Sequence, residues 1–186
     1  MSKEYINRYV SCLVDTVKKI DSETVHLLST SLREAWHNNK QVFICGNGGS
    51  AANAMHIAND LFYGIAKEFG TGIRVNALPS NPSVLTCLAN DISYIDIFSQ
   101  QIKVLGQEED ILIVFSGSGD SSNIIKAIEV ANGMNMKTFA ILGYSGGKCL
   151  DLADVAIHFP VEDMQVAEDM QLIICHIVMQ WLRDNK

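Results

Sequence analysis

The chain has 186 residues, a length that suits one domain with a three-layer core. Hydrophobic residues make up 48% of it and charged residues 19%, which is typical of a globular protein and excludes a disordered one. The formal net charge of -7 disfavours a nucleic-acid partner. Because the overall field repels anions, any bound phosphate must be held by local dipoles.

The cysteines and the first residues indicate the compartment. The five cysteines are scattered, odd in number and without a Cys-x-x-Cys pair, which predicts reduced thiols in a cytoplasmic protein. The polar start of the chain, residues 1–8, predicts no signal peptide, and no apolar stretch approaches the length that spans a bilayer. We therefore expect a cytoplasmic protein with no membrane partner.

Helical and extended patterns alternate along the chain. Apolar residues recur at spacings of three and four over residues 4–38 and predict one or two helices, with a break or a new cap at Asp21–Ser22. Short β-rich runs predict five strands, at residues 41–45, 73–78, 111–115, 138–142 and 155–159. Further helices are expected over residues 50–63, from the serine-rich loop to residue 133, and over residues 163–183.

Buried strands that alternate with helices predict an α/β three-layer sandwich, in which helices flank a five-stranded parallel sheet. Residues 1–186 are predicted to form a single domain. The first and last helices carry apolar faces that one small sheet does not cover. We therefore expect a homo-oligomer, in which a helical extension formed by residues 1–38 packs between subunits.

The run SGSGDSS at residues 116–122 lies between a predicted strand and a predicted helix. Its hydroxyls, its permissive glycines and the helix N-terminus can together enclose a phosphate dianion. A simple strand–helix turn needs one capping residue, whereas this loop has five. The five candidates are Ser116, Ser118, Asp120, Ser121 and Ser122. Since the motif needs no lysine, it suits a sugar phosphate better than a nucleoside triphosphate.

A second glycine-rich run, from Gly46 to Ser50, follows the first predicted strand. It is not a dinucleotide-binding fingerprint, because Ala51 stands at the place of the third glycine, and no P-loop motif is present. Both loops lie at carboxyl ends of strands, where parallel sheets bind ligands. We interpret this loop as a second wall of the same pocket, to which Ser50 contributes a hydroxyl and Asn47 an amide.

Two histidines and two carboxylates form a candidate metal site. His56 and Asp60 lie one turn apart on one helix, and Glu168 and His176 lie on the last helix, where His176 interrupts an apolar run. Either histidine alone is more simply a hydrogen-bonded core residue, but the four side chains together can bind Zn²⁺ or another divalent ion, one per active site. Glu168 and His176 are about 12 Å apart along a helix, so they either converge on an ion between them or come from different subunits.

Four stretches are characteristic as a set: CGNGGSAANAMH at residues 45–56, Ala89–Asp91, DILIVFSGSGDSSNIIKAI at residues 110–128, and residues 143–147. With them the chain resembles the sugar isomerase (SIS) domain family and, within it, the phosphoheptose isomerases, over nearly its whole length. The resemblance implies a flavodoxin-like, doubly wound fold and a homotetramer with active sites at subunit contacts. It also implies conversion of sedoheptulose 7-phosphate to D-glycero-D-manno-heptose 7-phosphate for surface glycans such as lipopolysaccharide or capsule.

The resemblance further implies roles for individual residues. The expected substrate- and phosphate-binding residues are Asn47, Gly48, Gly49, Ser50, Asp91, Ser116, Gly117, Ser118 and Ser121. The expected metal ligands are His56, Asp60, Glu168 and His176, of which His176 also matches a catalytic acid/base. The catalytic set is Asp60, Glu168 and His176. In an enediol mechanism we assign Asp60 or Glu168 as the base and His176 as the second acid/base.

Some positions depart from the pattern of the family. Asp60 stands at the usual catalytic glutamate and Glu168 at the usual glutamine ligand, while Gln165 and Gly117 replace the more common Asp and Thr. The side chain at 60 is therefore shorter than usual, and a new carboxylate is present at 168. Either these two carboxylates have exchanged lengths and still bind one metal ion and one proton together, or the substrate differs. Two alternatives follow: an isomerase of another sugar phosphate, or a non-enzymatic SIS protein that binds the bacterial replication initiator. In the latter branch amides typically replace the metal histidines, whereas both histidines are present here.

Overall fold

The computed structural model describes residues 2–185, apart from the side chain of residue 68. Its α-helices are α1 (Lys3–Val17), α2 (Ser22–His37), α3 (Gly49–Asn59), α4 (Ala66–Phe69), α5 (Pro82–Asp91), α6 (Ser99–Leu105), α7 (Ser122–Gly133), α8 (Cys149–Leu152) and α9 (Met164–Asp184). Its strands are β1 (Gln41–Cys45), β2 (Arg74–Ala77), β3 (Ile111–Ser116), β4 (Lys137–Leu142) and β5 (Val155–His158).

The five strands form one parallel sheet in the order β2-β1-β3-β4-β5, which is the flavodoxin-like order. Every residue of the central strand β3 is buried, because helices cover both faces. One apolar core joins the sheet to α1, α2, α3 and α9, and the other joins it to α5, α6, α7 and α8. The predicted three-layer α/β sandwich is confirmed.

The helix and strand predictions are largely confirmed, and the differences have local causes. Asp21 caps α2 by accepting a hydrogen bond from the Glu23 backbone N–H at 3.0 Å, at the predicted break. Residues 82–105 contain α5 and α6, which were not predicted. Asn81 caps α5 by accepting a hydrogen bond from the Val84 backbone N–H, and Pro82 is the first residue of this helix.

The predicted helix after the first glycine-rich loop is divided in two. The helix α3 ends at Asn59, and residues Asp60–Gly64 continue as one π-helical turn. Such turns are rare and occur frequently at functional sites. No helix of residues 2–185 has the length and apolarity needed to cross a membrane.

Candidate active site

The two glycine-rich loops meet, as predicted, at the carboxyl ends of β1 and β3. They enclose a cavity of about 140 Å³, which we call the serine pocket. Its lining residues are Asn47, Ser50, Phe115, Ser116, Gly117, Ser118, Ser121, Met164 and Glu168. Four of these are the serines predicted to bind phosphate. Within the described chain no lysine or arginine lines the pocket, so charge complementarity must come from elsewhere.

Three helices begin at the serine pocket. Ser50 lies in the first turn of α3, Ser121 is the N-cap of α7, and Met164 is the first residue of α9. The side chain of Ser121 makes no capping hydrogen bond in the part of the chain that the structure describes, so its hydroxyl is available to a ligand. Helix N-termini carry unpaired N–H groups and partial positive charge, which attract an anion without a cationic side chain.

A pair of amides fixes the two loops against each other. The amide groups of Asn47 and Asn123 each donate to the other at 2.8 Å, and Tyr94 donates its hydroxyl proton to Asn47 at 3.1 Å. Asn123 is almost completely buried. Asn123 was not predicted from the sequence, since it follows the serine run on a helix and its partner is 76 residues away. Asn47 therefore holds the pocket wall in place, besides lining it.

Glycines allow a third loop, residues 143–147, to pack closely against the serine loop. Gly119 and Gly146 both have positive φ, and a Cβ at Gly119 would collide with the Gly146 carbonyl. Asp120 does not cap α7, since its carboxylate accepts from the Lys148 backbone N–H at 3.0 Å. The Gly143–Gly147 stretch that contributed to the family resemblance thus supports the floor of the pocket.

His56, Asp60 and His176 converge into a second cluster, which we call the histidine cluster. The Nε2 atoms of the two histidines are 3.1 Å apart, and Asp60 Oδ2 lies 3.5 Å from His56 Nε2 and 3.7 Å from His176 Nε2. In tetrahedral zinc coordination, with bonds of about 2.0–2.1 Å, neighbouring ligand atoms are about 3.3 Å apart. The three donor atoms therefore fit three positions of a divalent-ion site and leave one position open.

Glu168 does not join the histidine cluster. It lies at the wall of the serine pocket, where its carboxylate packs over the first turn of α3, and a Cβ at Gly49 would collide with it. Of the four expected metal ligands, His56, Asp60 and His176 thus lie together. The role of Glu168 as a metal ligand or as a base stays a prediction. Asp91 lies at the end of α5, where its carboxylate contacts Cys87 and Asn90 rather than the pocket, so its role in the sugar site also stays a prediction.

The remaining predicted positions lie in the pocket loops. Gly48 is the N-cap of α3 and has a positive φ of 57°, and Gly49 is the first residue of that helix. Gly117 leaves room for the sulfur of Met164, which a Cβ would approach to 2.7 Å. A threonine, the more common family residue, would require Met164 to shift. The Met164 side chain thus occupies space that this departure from the family pattern opens.

The pocket and the histidine cluster lie along the same two helices. Ser50 contacts Gln171, and His56 contacts His176, so α3 and α9 run side by side in the same direction. Ser50 and His56 are about 9 Å apart along α3. A ligand bound in the pocket by one end can therefore reach the cluster only with a group several atoms away.

The histidine cluster is open to solvent on one side. About half of each histidine side chain is exposed, at 49% for His56 and 46% for His176. The apolar side chains of Met55, Phe62 and Ile177 are also exposed, and two of them are sequence neighbours of the cluster histidines. An apolar rim around a polar cluster is typical of a surface that another molecule covers.

A hydrogen bond from Tyr9 ties α1 to α9. The Tyr9 hydroxyl donates to Asp169 Oδ2 at 2.5 Å. This bond to a carboxylate raises the pKa of Tyr9 to about 12, and partial burial adds to the shift. The hydrogen bond therefore fixes α1 against α9 at the residue that directly follows Glu168.

Comparison with known proteins agrees with this architecture. A family model described as the SIS domain matches residues 4–143. The chain belongs to the SIS domain family. The resemblance found from the sequence is therefore confirmed, and the two glycine-rich loops of the site lie within the matched SIS region.

Curated relatives and solved structures of this family extend the match to nearly the whole chain. The phosphoheptose isomerase of Helicobacter pylori strain P12 is 37% identical over 176 residues, which cover 95% of this chain and 87% of the relative. The phosphoheptose isomerase of Vibrio vulnificus is 35% identical, and the match covers 97% of this chain and 96% of the relative. The structure of the phosphoheptose isomerase from Neisseria gonorrhoeae superposes with a TM-score of 0.90 at 26% identity, and 98% of each chain is covered.

Proposed function

We propose that this SIS protein is a phosphoheptose isomerase, which interconverts sedoheptulose 7-phosphate and D-glycero-D-manno-heptose 7-phosphate. One observation carries the proposal: a phosphate-sized pocket and a His/Asp cluster lie along the same two parallel helices, in a chain similar over 95% of its length to a phosphoheptose isomerase. Supply of heptose for surface glycans such as lipopolysaccharide or capsule is part of the same proposal, and so is a cytoplasmic location.

The serine pocket binds the phosphate in this proposal. The hydroxyls of Ser50, Ser116, Ser118 and Ser121, together with the starts of α3 and α7, provide donors on several sides of a dianion. The reacting carbons of the sugar lie at the far end of the substrate, toward the histidine cluster. Binding energy from the phosphate then positions those carbons, which lowers the entropic part of the barrier.

Asp60 and His176 carry the proton transfers of the enediol mechanism. Asp60 is the favoured base, because its carboxylate lies beside both histidines of the cluster, whereas Glu168 lines the serine pocket. His176 is the second acid/base, which moves the proton between the two sugar oxygens. Zn²⁺ or another divalent ion, when bound by His56, Asp60 and His176, supplies positive charge that polarises the sugar carbonyl.

A homotetramer completes the active site in this proposal. The apolar rim around the histidine cluster and the exposed apolar face of α1, which includes Ile6, Val10 and Val14, give a second copy of the chain a surface to cover. The helical extension of residues 1–38 then packs between subunits. Sedimentation equilibrium that finds a monomer at assay concentrations would contradict this part of the proposal.

Turnover of sedoheptulose 7-phosphate, measured before and after chelation and after adding back Zn²⁺, tests the function. We expect turnover that falls on chelation and returns with the metal, and that is lost in His176→Ala. The matched control is His37→Ala, which removes an exposed histidine at the far end of α2. No turnover with any divalent ion would reject the heptose assignment in favour of another sugar phosphate, or of a protein that binds the replication initiator.

A further inference from the structure

One fully buried polar side chain lies between the two halves of the site. Gln171 has no exposed surface, and its amide N–H donates to Ser50 Oγ at 3.0 Å. On its other side it accepts a hydrogen bond from the Asn53 amide at 2.9 Å. Asn53 also donates to the backbone carbonyl of Glu168 at 3.0 Å. These contacts form a chain that runs from a carbonyl of α9, through two amides, to a serine of the pocket.

The direction of every hydrogen bond in this chain follows from its first member. A backbone carbonyl only accepts, so the Asn53 group that faces Glu168 O must be its NH₂. That NH₂ also faces Gln171, which must therefore present its oxygen to Asn53 and its NH₂ to Ser50. Ser50 Oγ is thus held as an acceptor by the protein, and its own proton is left for another partner.

We propose that Gln171 is a positioning residue for the substrate, which fixes the Ser50 hydroxyl so that its proton is donated into the serine pocket. The inference rests on the proposed function, because the anion that receives this proton is the phosphate of the sugar. A phosphate dianion offers only acceptor oxygens, so each pocket hydroxyl contributes only if its proton points inward.

Two other pocket serines are arranged in the same way. Ser116 Oγ accepts from the Gly119 N–H at 3.0 Å, and Ser118 Oγ accepts from the Asp120 N–H at 3.3 Å. In all three cases a protein donor occupies the serine oxygen and leaves the hydroxyl proton for the ligand. Gln171 therefore does for Ser50, from the neighbouring helix, what local backbone groups do for the other two serines.

The test compares Gln171→Met, Ser50→Ala and the double variant. Methionine has a similar volume but has no hydrogen-bond donor, so the Ser50 hydroxyl becomes free to rotate. We expect Gln171→Met to raise KM for the sugar phosphate about 3- to 10-fold, which is the range for one hydrogen bond, with kcat within about twofold. The double variant should bind no more weakly than Ser50→Ala, because Gln171 acts through that hydroxyl.

A matched control separates positioning from general stability. Gln101→Met makes the same substitution at a part-buried glutamine of α6, which donates to the Leu78 and Ile97 carbonyls. It should lower the melting temperature without changing KM. If Gln171→Met folds poorly, Asn53→Ala removes the previous link in the chain, and we expect a smaller rise in KM that also disappears in the Ser50→Ala background. Additive losses in the double variants would refute the inference.

Binding of inorganic phosphate, followed by calorimetry, distinguishes this inference from the proposed function. Weaker phosphate binding in Gln171→Met, with no further loss in the double variant, would support the role of Gln171 even if the protein did not turn over heptose phosphate. Phosphate that binds equally well to the wild type and to Gln171→Met would overturn the inference, even if heptose phosphate were the substrate.

Discussion

Glu168 lines the serine pocket, and the removal of its charge tests whether this pocket and the histidine cluster have separate roles. A carboxylate and a phosphate dianion about 6 Å apart, at an effective dielectric constant of about 20, repel by about 5.5 kcal/mol. Because the pocket opens to solvent, which screens most of this energy, we take a quarter of it, about 1.4 kcal/mol, which is a tenfold change in affinity.

We therefore expect Glu168→Gln to lower KM for the sugar phosphate about tenfold and to tighten the binding of inorganic phosphate similarly, with kcat largely kept. Asp60→Asn serves as the comparison, since the removal of a general base costs about 10²- to 10⁴-fold in turnover. Steady-state kinetics on both variants, with phosphate as a competitive inhibitor, gives the two constants separately.

One result would refute this reasoning. If Glu168→Gln loses turnover as severely as Asp60→Asn while phosphate affinity stays unchanged, Glu168 is the base or an essential ligand. Its side chain would then have to leave the first turn of α3 when substrate or metal binds. Glutamine has the same shape as glutamate, so we expect Glu168→Gln to fold, and a loss of turnover in this variant then reports on the chemistry of the site.

Further predictions concern pH, thiols and salt. Tyr9→Phe should lower the free energy of unfolding at neutral pH by about 1 kcal/mol, the contribution of one hydrogen bond. This difference should shrink between pH 10 and 12, because the Tyr9 hydroxyl, whose pKa is raised to about 12, stabilises the fold only while it is protonated. Urea unfolding of both proteins at several pH values measures the difference. Burial raises the pKa of Cys149 to about 12 and also raises that of Cys45. The hydrogen bond to Asp91 raises the pKa of Cys87 as well, but its thiol is exposed, so a thiol reagent at pH 8 should modify Cys87 well before the two buried cysteines, as peptide mapping would show. Added salt should lower KM, since it screens the repulsion between phosphate and a chain of net charge -7; a pocket lined by lysine or arginine would show the opposite trend.

The sequence predicted those features that depend on local pattern. Apolar runs located all five strands, and the serines and glycines after β1 and β3 located the pocket, because the carboxyl ends of neighbouring parallel strands lie side by side. The spacing of His56 and Asp60 placed both on one helix face, and the apolar surroundings of His176 indicated that it needs a partner. The structure brings these three side chains together.

Features that depend on partners distant in sequence were missed. Asn123 and Gln171 take their roles from residues 76 and 121 positions away, and no local pattern gives such distances. One sequence signal for Gln171 was present, because it lies in the row of buried positions of α9 together with Met170, Ile174 and Val178. A polar residue in such a buried row requires partners, and the same reasoning that was applied to His176 would have singled it out.

Under the proposed function, the placement of the serine pocket and the histidine cluster along α3 and α9 determines what kind of substrate the protein can use. Ser50 and His56 are separated by six residues of one helix, and the contacts of Gln171 and His176 hold the second helix in register with the first. Neither site can approach the other without breaking the packed pair, so the axial rise of about 9 Å from Ser50 to His56 sets the scale of the ligand that can span both. Under the proposed function, a three-carbon sugar phosphate is too short for this rise, whereas a long open-chain sugar phosphate places its phosphate in the serine pocket and its carbonyl end beside Asp60.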